Sequence, residues 1–233
     1  MTSPGSLPSP AASRFVLVTG ATGYLGRALL PTLIARGHRV RVLVRSGSER
    51  KVEGNVEIAT GDPLAADGIF AALAGVDTVV HLVGVPKPSP AKARQFREVD
   101  LVSIQATVAA VLRIQPPPHL VYLSVAQPAP VMKAYVAVRR EGEALIVAKG
   151  LTATCLRPWY VLGPGHRWPV VLAPVYALLG LFPSMRGGTE RLGFVTLAEM
   201  VSALVAAVEH PADGVRIVEV PAIRAGGPGR VLP

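Results

Sequence analysis

Unbroken apolar runs alternate along this chain with longer stretches of mixed character. Phe15-Val16-Leu17-Val18 and the nearly all-apolar segment Val76–Val85 are runs of the first kind. Apolar side chains at successive positions suit strands covered on both faces, as in a parallel sheet. The pattern predicts strands over 15–19, 39–44, 55–59, 77–82, 119–123, 152–156 and 215–220. It predicts helices over 24–36, 64–74, 90–114, 132–149, 168–180 and 196–209. Strand and helix alternate with short connections, which is the signature of an α/β, doubly wound parallel sheet. The punctuation agrees. Ser89-Pro90 reads as a cap and first helical position, and Pro116-Pro117-Pro118 ends the stretch that follows. Pro31 falls inside the first helix, where it removes a donor and is expected to bend the helix. Thr196 with Glu199 three positions later reads as a capping box, which gives Glu199 a structural role.

The first strand leads into Gly20-Ala21-Thr22-Gly23-Tyr24-Leu25-Gly26 and then into the helical stretch Arg27 to Arg36. Strand, glycine turn and helix form a cradle for a diphosphate. Gly20 permits the tight turn, Gly23 lets the anion approach the backbone, and Gly26 lets the helix pack closely on the strand. The motif stands in the strand-to-helix context it requires. Thr22, Tyr24 and Leu25 fall within the same turn.

In an open parallel sheet, ligands gather at the carboxyl ends of the strands. That rule assembles Gly20, Arg45, Asp62, Val83-Gly84, Ser124 and Pro158 into one crevice. Arg45 lies 45 − 26 = 19 residues past the last motif glycine. NAD-selective sites place a carboxylate on the ribose hydroxyls at about that distance. A guanidinium there suits a 2′-phosphate, so NADP(H) is expected in preference to NAD(H). Asp62 reads equally as an acceptor for the adenine amino group and as the cap of the following helix. Gly84 permits close backbone approach to the adenosine half, while His81 sits in apolar sequence and reads as a core residue.

Composition narrows the partners. The chain has 233 residues, half of them apolar and only 17% charged. That suits a large buried core and argues against global disorder. The formal net charge of +9 is spread over dispersed arginines. No nucleic-acid module is visible, so an anionic small ligand is preferred to nucleic acid. The histidines are dispersed and form no ligand pair, so no metal site is expected. The lone cysteine, Cys155, lies in an apolar strand and reads as a buried core residue. No internal disulfide can form, and a reducing, cytoplasmic setting is expected. Residues 1–13 read as a disordered tail without the features of a secretion signal. The Gly/Pro-rich stretch 225–233 reads as a second tail. Between them, 14–157 reads as a dinucleotide-binding core and 158–224 as a small substrate region whose final strand returns to the sheet. The uncharged segment Trp168–Pro183 is short for a membrane span. It reads as an apolar pocket wall, with a dimer surface or a peripheral membrane contact as alternatives; monomer and homodimer both remain open.

Together, TGATGYLG, Gly61-Asp62, VVHLVG, Ser124, Tyr135 and Leu156-Arg157-Pro158-Trp159 with Gly163-Pro164-Gly165 resemble the short-chain dehydrogenase/reductase superfamily. The nearest type is its extended and atypical branch, the NAD-dependent epimerase/dehydratase-like and NmrA-like proteins. The resemblance spans roughly 14–222 and implies a Rossmann-type sheet with a small C-terminal substrate region. It also implies a catalytic Ser, a Tyr that moves a proton, and a Lys four residues after the Tyr. Ser124 and Tyr135 match the first two, and Arg139 stands in the lysine's place. Residues i and i+4 share a helix face, so Arg139 can present positive charge near Tyr135, where a cation favours the phenolate. An arginine keeps its proton, however, and cannot relay one as a lysine does. Three functions follow: an NADP-dependent oxidoreductase acting on a carbonyl or hydroxyl of a small apolar substrate; a non-catalytic NAD(P)-binding sensor or assembly subunit; and an epimerase or dehydratase holding NAD tightly.

Overall fold

A computed structural model describes residues 12–164, 192–227 and 229–232. The first strand, β1 (Phe15–Thr19), is buried at every position, as its unbroken apolar run requires. The glycine turn leads into α1 (Tyr24–Ala35), which runs through Pro31. β2 (Arg39–Val44), β3 (Glu57–Thr60), α2 (Ala66–Phe70) and β4 (Thr78–His81) complete the first half. The second half contains β5 (His119–Leu123), α5 (Lys133–Ala148), β6 (Ala153–Arg157), α6 (Leu197–Glu209) and β9 (Val215–Glu219).

With β10 (Arg230–Val231), these strands form one eight-stranded sheet in the order β10-β9-β6-β5-β4-β1-β2-β3. Every pairing is parallel except that of β10 with β9. Val18 of β1 stands opposite Val42 on one side and Val80 on the other. Strand order reverses at the β1/β4 boundary, because β2 and β3 lie to one side of β1 and the later strands to the other. A doubly wound sheet opens its ligand crevice at such a switch point. The fold is thus the Rossmann-type sheet expected from the alternation of elements.

Alternate residues of each strand supply two cores. Leu17, Val79 and Leu120 face Ile69 of α2, Ile104, and Ile146 of α5. Val16, Val18 and Val80 face Leu29 and Leu33 of α1 and Met200 and Leu204 of α6. The Thr196–Glu199 capping box starts α6. Thr196 Oγ1 accepts from Glu199 N at 3.1 Å, and Glu199 Oε2 accepts from Thr196 N at 2.6 Å.

Several elements differ from the expectation. The stretch 90–114 is not one regular helix. It begins as a 3-10 turn (Pro90–Lys92), continues as α3 (Ala93–Gln95), widens into a π-helical segment (Phe96–Leu101) and returns to α-helix in α4 (Val102–Val111). Residues 160–162 (β7) and 194–196 (β8) pair in a small parallel sheet of their own. The strand expected to reach residue 220 stops at Glu219, where α7 (Val220–Ala225) begins with Pro221 in its first turn. Arg230–Val231, in the stretch read as a tail, is strand β10. The expected helix 168–180, the uncharged segment 168–183 and residues 1–11 lie outside the described residues. Among the described residues, no helix is long and apolar enough to cross a membrane.

Candidate functional site

The glycine turn is built by contacts that exclude side chains. Gly20 has φ +76°, and a Cβ there would lie 2.7 Å from the carbonyl carbon of Leu82 on the β4 side. Only glycine meets both demands. The N–H of Gly23 donates to Gly20 O at 3.0 Å and closes the turn. A Cβ on Gly26 would lie 2.5 Å from Ala21 O, so α1 can approach the turn only because that residue is glycine. Gly23 caps α1 with extended backbone and no side-chain hydrogen bond, and the first turn carries no acid. The leading N–H groups of α1 are therefore available to an anion.

Above this turn lies a cavity of about 860 Å³. Gly20, Thr22, Gly23, Arg45, Asp62, Val83 and Gly84 all line it. Tyr24, Leu25, Gly26 and Pro158, also expected at the cofactor, are not among its walls. A Cβ on Gly163 would meet the Tyr24 hydroxyl, Leu25 packs against the α1/α6 core, and Pro158 O accepts the Ala126 N–H at 3.0 Å. Asp62 lines the cavity and also makes a local turn, its Oδ1 accepting from Leu64 N at 2.9 Å. Ser46, Ser48 and Lys51 join Arg45 in the wall. Sequence reasoning passed over these three, although basic and hydroxyl residues clustered after β2 were a visible signal. An anion-ready helix end, glycines that admit close backbone approach and a wall carrying Arg45 and Lys51 fit a dinucleotide.

A second cluster sits at the ends of β5 and α5. Ser124 continues β5, its N–H donating to Leu156 O at 2.8 Å. Its hydroxyl is buried with no hydrogen-bond partner among the described residues. Met132, at φ +57°, turns the chain into α5, and Tyr135 in the first turn sets its ring 5.0 Å from that of Phe96. Arg139 follows one turn later and is 2% exposed. Its Nη1 donates to Leu123 O at 2.8 Å, and its Nη2 lies 2.6 Å from Oδ1 of the fully buried Asp100. The other carboxylate oxygen of Asp100 accepts the Val85 N–H at 3.0 Å. Burial opposes the Arg139 charge, but Tyr135, Tyr122 and Asp100 around it outweigh burial and raise its pKa above the ordinary arginine value. Burial also raises the Asp100 carboxyl, against the pull of Arg139 and the Val85 N–H.

Gly84 joins the two clusters. It lines the cavity above the glycine turn, and a Cβ there would collide with Arg139 Nη2 and lie 3.0 Å from Asp100 Oδ1. Asp100 is a site-shaping residue that sequence reasoning missed. Its partner is 39 residues away, and no local pattern marks the contact. A third group of charges steadies the neighbouring strand ends. Glu143 accepts from Arg157 at 2.9 and 2.5 Å and from Gln127 at 2.9 Å.

His81 is fully buried and neutral. Burial, with Arg139 adding to it, lowers its pKa to about 3. Thr107 Oγ1 lies 3.0 Å from its Nδ1 and Ser103 Oγ 3.3 Å from its Nε2. It is a satisfied core histidine. Cys155 is buried in β6, where burial first and Glu143 second push its thiol well up, away from nucleophilic use.

Comparison with known proteins accords with this geometry. The model of the NAD dependent epimerase/dehydratase family matches residues 16–220. Ceramide reductase of Caulobacter vibrioides is 30% identical over 217 residues, covering 91% of this chain and 66% of the relative's own length. The 3-diazoavenalumate denitrifying reductase of a Streptomyces species is 31% identical over 225 residues, covering 85% of this chain and 73% of that one. Among solved structures, the Bordetella bronchiseptica enzyme WbmH in complex with NAD+ superposes with a TM-score of 0.66 at 17% identity, over 89% of this chain and 76% of WbmH. The chain thus belongs to the NAD-dependent epimerase/dehydratase family.

Proposed function

We propose that this chain is an NADP(H)-dependent reductase of a carbonyl group on a small apolar molecule. The observation that carries the reading is the wall after β2, where Arg45, Ser46, Ser48 and Lys51 line the cavity, while Glu49 of the same segment is not in the lining and accepts from Thr60 Oγ1 at 3.3 Å. A guanidinium and an ammonium there favour a 2′-phosphate over bare ribose hydroxyls. Gly20, Thr22 and Gly23 would hold the diphosphate, and Val83 and Gly84 would flank the adenosine half. When bound, the cofactor supplies the hydride. The chain's own residues do the rest: the Ser124 hydroxyl, unpartnered among the described residues, orients the substrate oxygen, and Tyr135 holds the proton that oxygen receives. Arg139 keeps its proton and serves by position. The apolar character of the substrate is supported by the family relative named as a reductase of ceramide.

A second reading has one observation in its favour. Arg139 is committed to Asp100 and Leu123 O, which suits a protein that holds the dinucleotide without turning it over. Two measurements test these readings. Dissociation constants for NADPH and NADH test the cofactor assignment. NADPH is expected to bind the tighter, and Arg45→Ala to weaken it by about tenfold, since one charge-assisted bond contributes about 1.5 kcal/mol or more, while leaving NADH unchanged. Equal affinities in the unaltered protein would remove the NADP(H) assignment. A panel of aldehydes and ketones with NADPH tests turnover. Activity abolished by Tyr135→Phe supports the reductase, and tight binding without turnover of any member supports the holding protein.

A further inference from the structure

We propose that Asp100 is a positioning residue of the Tyr135 cluster: it pins Arg139 beneath the crevice and cancels its charge, so that Tyr135 faces a neutral ion pair in place of a free cation. The consequence for turnover rests on the reductase reading, but the geometry and the test do not.

Both partners are out of water. Asp100 is fully buried and Arg139 all but so, and their closest atoms lie 2.6 Å apart. Each end of the pair is anchored to backbone, Asp100 by the Val85 N–H and Arg139 by Leu123 O. The guanidinium carbon then sits 5.2 Å from the centre of the Tyr135 ring and 5.7 Å from that of Tyr122. Gly84 leaves the room that the pair fills. Asp100 is brought there by the π-helical segment Phe96–Leu101, a widened turn of the kind that concentrates at functional positions. A lone buried guanidinium would project its full charge through a low-dielectric interior. Paired with a carboxylate at hydrogen-bond distance, it projects a dipole. Among the described residues, the other groups around Tyr135 do not replace that effect. Phe96 is apolar, Tyr122 is neutral with its hydroxyl pushed up by burial, and Lys133 is exposed on the same helix.

The test follows ionisation of the Tyr135 hydroxyl by ultraviolet difference absorbance during alkaline titration, without cofactor or substrate. Each protein is read against its own Tyr135→Phe counterpart, so that only Tyr135 contributes. Asp100→Asn is expected to lower the midpoint by about one pH unit, as loss of one elementary charge within about 10 Å at an effective dielectric of about 20 requires. Adding Arg139→Met to Asp100→Asn is expected to return the midpoint toward that of the unaltered protein. A purely structural role for Asp100 would change the melting temperature and leave the midpoint in place, and a folded Asp100→Asn protein with an unmoved midpoint overturns the proposal. If Asp100→Asn does not fold, Asp100→Leu with Arg139→Met replaces the pair by apolar groups, an exchange that buried ion pairs commonly tolerate. Its midpoint should match that of the unaltered protein; a rise of a full unit would show that Arg139 acts as an uncancelled cation. A shifted midpoint in a protein that turns over no carbonyl sinks the reductase reading and leaves this one standing.

Discussion

Replacing His81 with glutamine removes a group whose protonation the fold resists, and the effect can be worked out in advance. In the unfolded chain the imidazole titrates near 6.5, whereas in the folded protein burial and then Arg139 hold it neutral down to about 3. Between those values the unfolded state binds the extra proton, so stability falls as the pH drops through the window from 6.5 toward 3. Linkage gives a loss of about 2 kcal/mol from this one residue between pH 7 and pH 5. His119, held neutral down to about 4 by burial and the nearby Arg14 and Arg216, adds a similar loss. Against a total stability of roughly 5–15 kcal/mol, two such terms matter. The assay is urea denaturation at both pH values, for the unaltered protein and for His81→Gln. Whatever glutamine does to absolute stability, the variant should lose about 2 kcal/mol less on acidification. Equal losses in the two proteins would refute the argument, because they would mean that His81 gains its proton as readily in the fold as in the coil. The residue lies directly before Leu82-Val83-Gly84 in the cavity wall.

Two further outcomes follow from the backbone. Gly20→Ala forces a Cβ into the Leu82 carbonyl at a left-handed φ; dinucleotide affinity measured by calorimetry should fall below detection, with melting also lowered. Thr196→Ala removes the acceptor that starts α6 and should cost about 1 kcal/mol in denaturant unfolding, with dinucleotide binding retained.

Local signals were legible and long-range ones were not. Phe15–Val18 followed by a glycine turn specifies β1, the turn and α1 because each feature acts on near neighbours. The Thr196–Glu199 cap was readable for the same reason. β10 was hidden because Arg230 and Val231 carry no strand pattern; their order comes from pairing with Ile217 and Arg216 of an already formed strand. The π-helical segment looked like continuous helix, since one widened turn leaves the composition unchanged. The rim of the crevice at Arg45 and Asp62 followed from strand ends alone. The partner of Arg139 did not, because a contact 39 residues away depends on how α5 lies against that widened turn. For Arg139 the lysine substitution was plain in the sequence, but its meaning depended on finding the carboxylate opposite.

The wall behind the glycine turn is made late. Leu29 and Leu33 of α1 bury themselves against Met200 and Leu204, and Arg36 reaches Glu209, 173 positions downstream. A ribosome therefore releases the loop and its helix long before the surface that shelters them exists. Until α6 has left the exit tunnel, the apolar back of α1 stays bare, a natural target for a chaperone, and a nascent fragment ending before Leu197 has the glycine-turn sequence without the support that gives it shape.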